Sequence, residues 1–123
     1  MLIYASSCQK YFAAHGEAFI ASAEKCGHTV KIDMVDDFPE WRERMDFKKE
    51  KVFACDLRWM RLPDLLEKND VLVCDIDSII NQPIKFECDM ALFFRPWIPS
   101  KEHKILLTAS YWSKKSKPFA EEL

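Results

Sequence analysis

Apolar and polar positions along the chain alternate in blocks that predict strands separated by helices. Short apolar or alternating runs predict five strands, at residues 2–5, 29–35, 70–75, 90–94 and 104–108. Apolar residues at helical spacing, with their stop signals, predict helices at residues 10–26, 52–61, 64–68 and 113–123. Pro63 is expected in the first turn of the third helix, and Pro118 is expected to weaken the last. Residues 36–39 predict a turn, followed by irregular sequence to about residue 51. The order predicts an α/β fold with a mainly parallel sheet flanked by helices.

The strand at residues 70–75 carries the residues best suited to chemistry. Its centre is apolar throughout, as in a strand covered on both faces, and it leads into Asp75 and Asp77. Side chains two residues apart on an extended strand project to one side, about 7 Å apart along the backbone. Open α/β sheets bind ligands at the carboxyl ends of their strands, where this pair is expected. The alternative is a strand-end turn in which both aspartates cap the next segment of the chain.

A divalent metal ion would explain two neighbouring carboxylates, which otherwise repel each other. Mg²⁺ or Mn²⁺ accepts such oxygen ligands and completes its coordination with water and phosphate oxygens. The chain has only Gly16 and Gly27, and neither a dinucleotide-binding nor a P-loop glycine motif is present. A metal on Asp75 and Asp77 is therefore the expected means of holding a phosphorylated ligand.

Three stretches of the chain resemble the nucleotide-diphospho-sugar transferases of the GT-A type, glycogenin-like members in particular. Residues 58–66 (RWMRLPDLL) resemble the family's arginine-bearing helix, and residues 70–84 (DVLVCDIDSIINQPI) resemble its D-x-D strand and exit. Residues 3–7 (IYASS), followed by Tyr11 and a helix that ends near His28, resemble the first βαβ unit. The resemblance implies a Rossmann-like nucleotide-sugar-binding core.

The resemblance also implies roles for particular residues. Asp75 and Asp77 would bind Mn²⁺ or Mg²⁺, and a UDP- or GDP-linked sugar donor would contact Ala5, Ser6, Tyr11, Arg58, Asp75, Ile76, Asp77, Ala109 and Ser110. Arg61 lies three residues from Arg58, so the two can share a helix face. Family members continue into an acceptor-binding half and a late histidine ligand. We therefore expect residues 1–123 to form one donor-binding domain without that half. His103 is a weak substitute for the histidine, and the acceptor is not identified.

Two other functions fit parts of the sequence. In a phosphatase of the haloacid-dehalogenase type, Asp75 would be the nucleophile, Asp77 the general acid and Thr108 a phosphate ligand. That motif normally opens its domain, and the required lysine and acidic pair have no convincing position near the end of this chain. In a non-catalytic binding or assembly domain, Trp41, Trp59, Trp97 and Trp112 would lie at an interface, including that of a homo-oligomer.

Composition and charge argue against several other classes of protein. The formal net charge is −2 with acids and bases interspersed, so generic nucleic-acid binding has little electrostatic support. No apolar run approaches the roughly 20 residues needed to cross a bilayer, and the start lacks signal-peptide features. The five cysteines include no C-x-x-C spacing, so neither a disulfide framework nor a zinc ribbon is predicted. The cysteines are typical of free thiols in a reducing compartment, and we expect a cytoplasmic location.

Overall fold

The fold is an α/β arrangement of five strands and four α-helices in the described part of the chain. It is known from a computed structural model that describes residues 1–44, 50–94 and 105–123, with the side chains of residues 42, 44, 50–52, 94 and 105–108 left aside. The strands are β1 (Leu2–Ser7), β2 (Thr29–Met34), β3 (Val71–Val73), β4 (Met90–Phe94) and β5 (Ile105–Trp112). The helices are α1 (Gln9–Lys25), α2 (Pro39–Arg44), α3 (Glu50–Leu66) and α4 (Lys117–Glu121).

The five strands form one mixed sheet in the order β2-β1-β3-β5-β4. β1 pairs in parallel with both β2 and β3, whereas β5 is antiparallel to β3 and to β4. The prediction of an α/β fold is therefore confirmed, but the sheet is less parallel than expected because β5 returns between β3 and β4. Since β1, β2 and β3 run in the same direction, their carboxyl ends lie at one edge of the sheet.

Each face of the sheet is covered by its own cluster of buried hydrophobic residues. On one face, Tyr4 and Val73 pack against Leu62 and Leu66 of α3 and against Trp112. On the other face the buried cluster consists of Ile3, Ala5, Phe19, Ala23, Leu72, Cys74, Ile76, Ile80 and Tyr111. The alternation of side chains along β1 assigns its even-numbered residues to the α3 side and its odd-numbered residues to the α1 side. This assignment decides which β1 side chains can meet residues of α3.

Helix α3 is continuous through Pro63, where the sequence predicted a break between two helices. The pyrrolidine ring removes the bond to the carbonyl of Trp59, at a cost of about 3 kcal/mol in a helix interior. Leu57 on one side of the proline and Leu66 on the other are both buried against the sheet and its flanking elements. Burial of both halves offsets the cost, so the helix carries on to Leu66.

Other element boundaries also differ from the prediction. Residues 39–44, expected to be the end of a turn and then irregular, form α2, which begins at Pro39, a residue suited to a first helical turn. β3 ends at Val73, before Asp75, and β5 continues beyond residue 108 to Trp112 because it pairs there with both β3 and β4. The predicted helix 113–123 is a 3₁₀ turn, Lys114–Ser116, followed by the short α4 with Pro118 in its first turn.

The tryptophans that the sequence offered as interface residues serve mainly the interior. Trp112 is buried, and Trp59 meets its ring edge-on at a centroid distance of 6.3 Å. Trp41 packs on Phe38 with centroids 5.4 Å apart, and Trp97 lies outside the described residues. Within the described ranges, every helix is too short or too polar to cross a membrane.

Candidate functional site

A pocket opens at the edge of the sheet where β1 and β3 end. It has a volume of about 310 Å³. The end of β1 leads into α1 on one side, the turn after β3 lies on another, and α3 supplies the third wall. The lining residues are Ser6, Ser7, Cys8, Tyr11, Ala54, Cys55, Arg58, Asp75, Ile76 and Asp77. The site therefore lies where open α/β sheets generally bind their ligands.

The wall formed by α3 is fixed to β1 by a backbone carbonyl. Ser6 Oγ donates a hydrogen bond to the carbonyl oxygen of Ala54, so the first half of α3 lies directly against the end of β1. Arg58 is four residues beyond Ala54 and therefore lies one turn further along the same face of the helix. This spacing turns the guanidinium of Arg58 toward the sheet edge.

Arg58 and Asp75 form an ion pair within the pocket in which Arg58 is buried and Asp75 is partly exposed. Arg58 Nη1 donates to Asp75 Oδ1 at 2.9 Å, and Arg58 is only 4% exposed. The side chain of Asp75 is 37% exposed, so its carboxylate still meets solvent. Arg58 Nε is buried and has no hydrogen-bond partner in the described part of the chain. A buried guanidinium with one donor unpaired depends strongly on the carboxylate that bonds to it, here Asp75.

Asp75 and Asp77 lie on a turn, which corrects the expectation that both project from an extended strand. The amide of Cys74 donates to the carbonyl of Tyr4 at 2.9 Å and extends the pairing with β1 by one residue beyond β3. The amide of Ser78 then donates to the carbonyl of Asp75 at 3.0 Å and closes the turn. Ile76 is buried between the two aspartates and Asp77 is exposed. Both carboxylates nevertheless line the same pocket.

A divalent cation in this pocket would have few protein ligands. No group of three or more His, Cys, Asp or Glu side chains comes together within the described ranges. Mg²⁺ and similar ions are commonly held by one or two carboxylates, with water and substrate phosphates as the other ligands. The carboxylate of Asp77 and the Asp75 oxygen that is not bonded to Arg58 would provide this minimal set of ligands. A closed, all-protein metal site is not formed by these residues.

Arg61 faces the same side of α3 as Arg58, as the spacing predicted, but bonds to a different aspartate. Its Nε donates to Asp33 Oδ2 at 2.9 Å, and Tyr4 Oη donates to the same oxygen at 3.1 Å. Burial, and then the negative charge of Asp33, raise the pKa of the Tyr4 hydroxyl well above its usual range. The tyrosine therefore stays a donor. These contacts tie α3 to β1 and β2 beneath the pocket.

Six of the nine predicted donor-binding residues line this pocket: Ser6, Tyr11, Arg58, Asp75, Ile76 and Asp77. The other three do not. Ala5 is buried in the core on the α1 side, because odd-numbered residues of β1 face that way. Ala109 and Ser110 lie within β5 rather than after a strand. Ser110 pairs with Val73, and its buried hydroxyl accepts a hydrogen bond from Trp112 Nε1 at 2.8 Å.

Four lining residues were missed by the sequence reasoning: Ser7, Cys8, Ala54 and Cys55. Ser7 and Cys8 simply continue the chain beyond Ser6, so the end of β1 was the available signal. Ala54 and Cys55 precede Arg58 by four and three residues, and helical spacing alone puts them on its face. That signal was hidden because the sequence gives no indication of how α3 is rotated against the sheet.

The remaining candidate residues have other positions. His103 lies outside the described residues, and the side chain of Thr108 is not among those described. His28 Nε2 accepts a hydrogen bond from the amide of Ile84 at 3.0 Å, and burial lowers the pKa of this histidine. Cys74 is buried beside Asp75. Burial and the neighbouring negative charge raise the pKa of its thiol to about 12, so it is a poor nucleophile.

Comparison of the chain with protein-family models, with curated proteins and with solved structures gave no match. The geometry of the pocket is therefore the basis for a functional conclusion.

Proposed function

We propose that the pocket binds a nucleotide-sugar donor together with a divalent metal ion, and that the protein transfers the sugar to an acceptor. The observation that carries the proposal is the meeting of Arg58, Asp75 and Asp77 in one pocket at the carboxyl end of the parallel strands. These residues come from two elements far apart in sequence. The fold brings them to the position at which α/β proteins bind phosphorylated ligands.

Each residue has a distinct task in this proposal. Asp77, being exposed, offers its carboxylate directly to Mn²⁺ or Mg²⁺, and Asp75 offers the oxygen that Arg58 does not bond. The metal, when bound, supplies positive charge that stabilises the diphosphate as a leaving group. Arg58 holds Asp75 in position, and Tyr11 forms part of the pocket wall. The pocket volume lies at the lower end of the range for small-molecule sites, so part of the ligand would extend beyond it.

A melting screen with nucleotide sugars tests this proposal. UDP- and GDP-linked sugars are added with Mn²⁺ or with EDTA, and the unfolding temperature is recorded. A ligand at a hundred times its dissociation constant stabilises the fold by about 2.7 kcal/mol, which gives a clear upward shift. We expect the shift with Mn²⁺ and its loss in EDTA. If no sugar nucleotide shifts the transition under either condition, the proposal is wrong.

Asp77→Asn is the variant that reports most directly on the metal, because Asp77 is exposed and carries no hydrogen bond described for its side chain. We expect it to keep the fold and lose the Mn²⁺-dependent shift. Glu122→Gln removes one exposed carboxylate at the end of α4, away from the pocket, and serves as the charge-matched control. Equal ligand shifts in both variants would mean that Asp77 does not hold the metal.

Transfer is separated from binding by following the donor itself. Release of free nucleotide, with the sugar transferred to water or to an added acceptor, indicates turnover. A donor that binds and stays intact favours the non-catalytic binding domain. Trapping of Asp75 by beryllium fluoride would instead favour the phosphatase mechanism, in which Asp75 is the nucleophile.

A further inference from the structure

The hydroxyl of Ser6 links the end of β1 to helix α3. Ser6 is 3% exposed, and its Oγ donates a hydrogen bond to the carbonyl oxygen of Ala54. A serine hydroxyl carries one proton, so this bond uses the only proton that the side chain can donate. Phosphate oxygens are acceptors and are bound by donors. Ser6 therefore lines the pocket without offering its proton to a phosphorylated ligand.

The carbonyl that Ser6 bonds belongs to the turn of α3 that carries Arg58. In an α-helix the amide of each residue donates to the carbonyl four residues earlier, so the Ala54 carbonyl also accepts from the amide of Arg58. The Ser6 hydroxyl and the Arg58 backbone thus meet at one oxygen atom. A displacement of α3 that breaks the Ser6 bond moves the backbone of Arg58 with it.

A second anchor holds α3 on the other side of Arg58. Arg61 Nε donates to Asp33 Oδ2 at 2.9 Å, and Tyr4 Oη donates to the same oxygen at 3.1 Å. Tyr4 and Ser6 are both even-numbered residues of β1, so both side chains lie on the side of the sheet that faces α3. β1 therefore holds the helix directly through Ser6 before Arg58, and through Asp33 after it.

The apolar packing beside this turn fixes the helix less closely than the hydrogen bond does. The buried cluster there consists of Cys8, Val35, Phe53, Ala54 and Leu57. Hydrophobic contacts are non-directional, so they set the distance of a helix more than its rotation. Hydrogen bonds weaken steeply when their angle departs from linear. Because Arg58 bonds Asp75 through one nitrogen at 2.9 Å, a small rotation of α3 is enough to weaken that contact.

We propose that Ser6 is a positioning residue, whose hydrogen bond to α3 places Arg58 where it meets Asp75. Through this ion pair Ser6 orients the Asp75 carboxylate, so that one oxygen is bonded by Arg58 and the other is left for the metal. This role differs from the donor contact that the family resemblance implied for Ser6. The effect on the ion pair can be measured without a ligand, whereas the consequence for donor binding rests on the function proposed above.

The coupling free energy between Arg58 and Asp75 tests this role, because a hydrogen bond that only stabilises the fold would leave it unchanged. The coupling comes from urea unfolding of Arg58→Met, Asp75→Ala and the double variant, each made with Ser6 present and with Ser6→Ala. Ser6→Ala should fold, since the Ala54 carbonyl keeps its helical bond and no backbone group loses its last partner. We expect the coupling to fall by about half or more in the Ser6→Ala background.

Two further variants make the test specific. Ser6→Cys has nearly the same shape and a weaker donor, so it should give an intermediate coupling, and it carries the test if Ser6→Ala does not fold. Ser116→Ala is the matched control. Ser116 is also buried, and its Oγ donates to the backbone carbonyl of Asp89 at 2.6 Å, outside the pocket lining. Its removal should lower stability and leave the coupling between Arg58 and Asp75 unchanged.

The outcomes are distinct. A coupling that is unchanged by the Ser6 variants overturns the positioning role, and so does an equal fall in Ser116→Ala. If a nucleotide sugar with Mn²⁺ shifts the melting of the unmodified chain, Ser6→Ala should show a smaller shift at the same ligand concentration, and an equal shift would contradict the role. A reduced coupling in a chain that no nucleotide sugar stabilises would support the positioning of Arg58 by Ser6, while the proposed function alone would be wrong.

Discussion

Removing the carboxylate of Asp75 should destabilise the fold, because Arg58 would then be a buried cation that has lost the carboxylate bonded to it among the described residues. Arg58 is 4% exposed and its Nε already lacks a hydrogen bond among the described residues. Loss of one partner from a fully buried ion pair costs about 3–5 kcal/mol. A hydrogen bond to a charged group contributes about 1.5–3 kcal/mol. Because the Asp75 side chain is 37% exposed, water can partly replace it, and we expect Asp75→Ala to lower the free energy of unfolding by about 2 kcal/mol.

The assay is equilibrium unfolding in urea followed by tryptophan emission. Trp59 of α3 packs against Trp112 of β5, and both lose that environment on unfolding. The midpoint should fall for Asp75→Ala while the slope with denaturant stays unchanged, which indicates a change in stability rather than in the unfolded state. Asp77→Ala is the matched control. Its carboxylate is exposed, so its effect should stay within about 0.5 kcal/mol.

A double variant decides whether the ion pair is the cause. Arg58→Met removes the buried charge at similar volume, and Arg58→Met with Asp75→Ala should be more stable than Asp75→Ala alone. The coupling free energy from the four proteins measures the pair. If Asp75→Ala unfolds at the same midpoint as the unmodified chain, the pair does not hold α3 to the turn after β3, and Arg58 is kept in place by packing alone.

Two further predictions concern pH and thiol chemistry. Burial lowers the pKa of His28, and the amide of Ile84 bonds to its neutral form, so the unfolded chain binds the proton more readily. Stability from this contact is therefore present above the ordinary histidine pKa of about 6.5 and falls as the pH drops below it. Unfolding in urea from pH 7.5 down to pH 5 should show a decline that is smaller in His28→Gln, and equal declines would refute the role of His28. In a second test, iodoacetamide near pH 8 should alkylate the exposed Cys55 and leave the buried Cys74 intact in folded protein, as read by mass spectrometry. Rapid labelling of Cys74 would contradict the burial that raises its thiol pKa.

The existence of β1, β2 and β3 could be predicted from local sequence patterns. β1 and β2 were found from local patterns, and the strand that leads to Asp75 was found from its uninterrupted apolar centre. Two results depended on tertiary contacts and were missed. The continuity of α3 through Pro63 depends on leucines that the sheet buries on both sides of it. The antiparallel placement of β5 depends on its pairing with both β3 and β4, to which local propensity gives no guide.

At the candidate site, too, residue types and spacing could be predicted from the sequence, whereas contacts between distant residues could not. Asp75, Asp77 and Arg58 were selected on residue type and spacing, and the pocket brings them together. The contact between Arg58 and Asp75 joins residues 17 positions apart, and the sequence alone did not predict it. The prediction that Ala5 contacts the ligand was wrong, and the alternation of side chains along β1 explains why. If Ser6 faces α3 and the pocket, its neighbour Ala5 must face the core on the opposite side of the sheet. A sequence prediction can thus choose one of two adjacent residues once a single contact of either is known.

The charges of the pocket also bear on how a phosphorylated ligand would enter. The described lining residues include one cation, Arg58, and two carboxylates, and the cation is already paired with Asp75. Without a metal the lining is negative by one charge, and a diphosphate would meet repulsion from Asp77 at close range. A divalent cation reverses the sign of the lining. The proposed function therefore requires that metal and donor bind together, and the affinity for the nucleotide in EDTA should fall far more than that for an uncharged nucleoside. An equal loss for both ligands would show that the metal supports the pocket's shape rather than the phosphates.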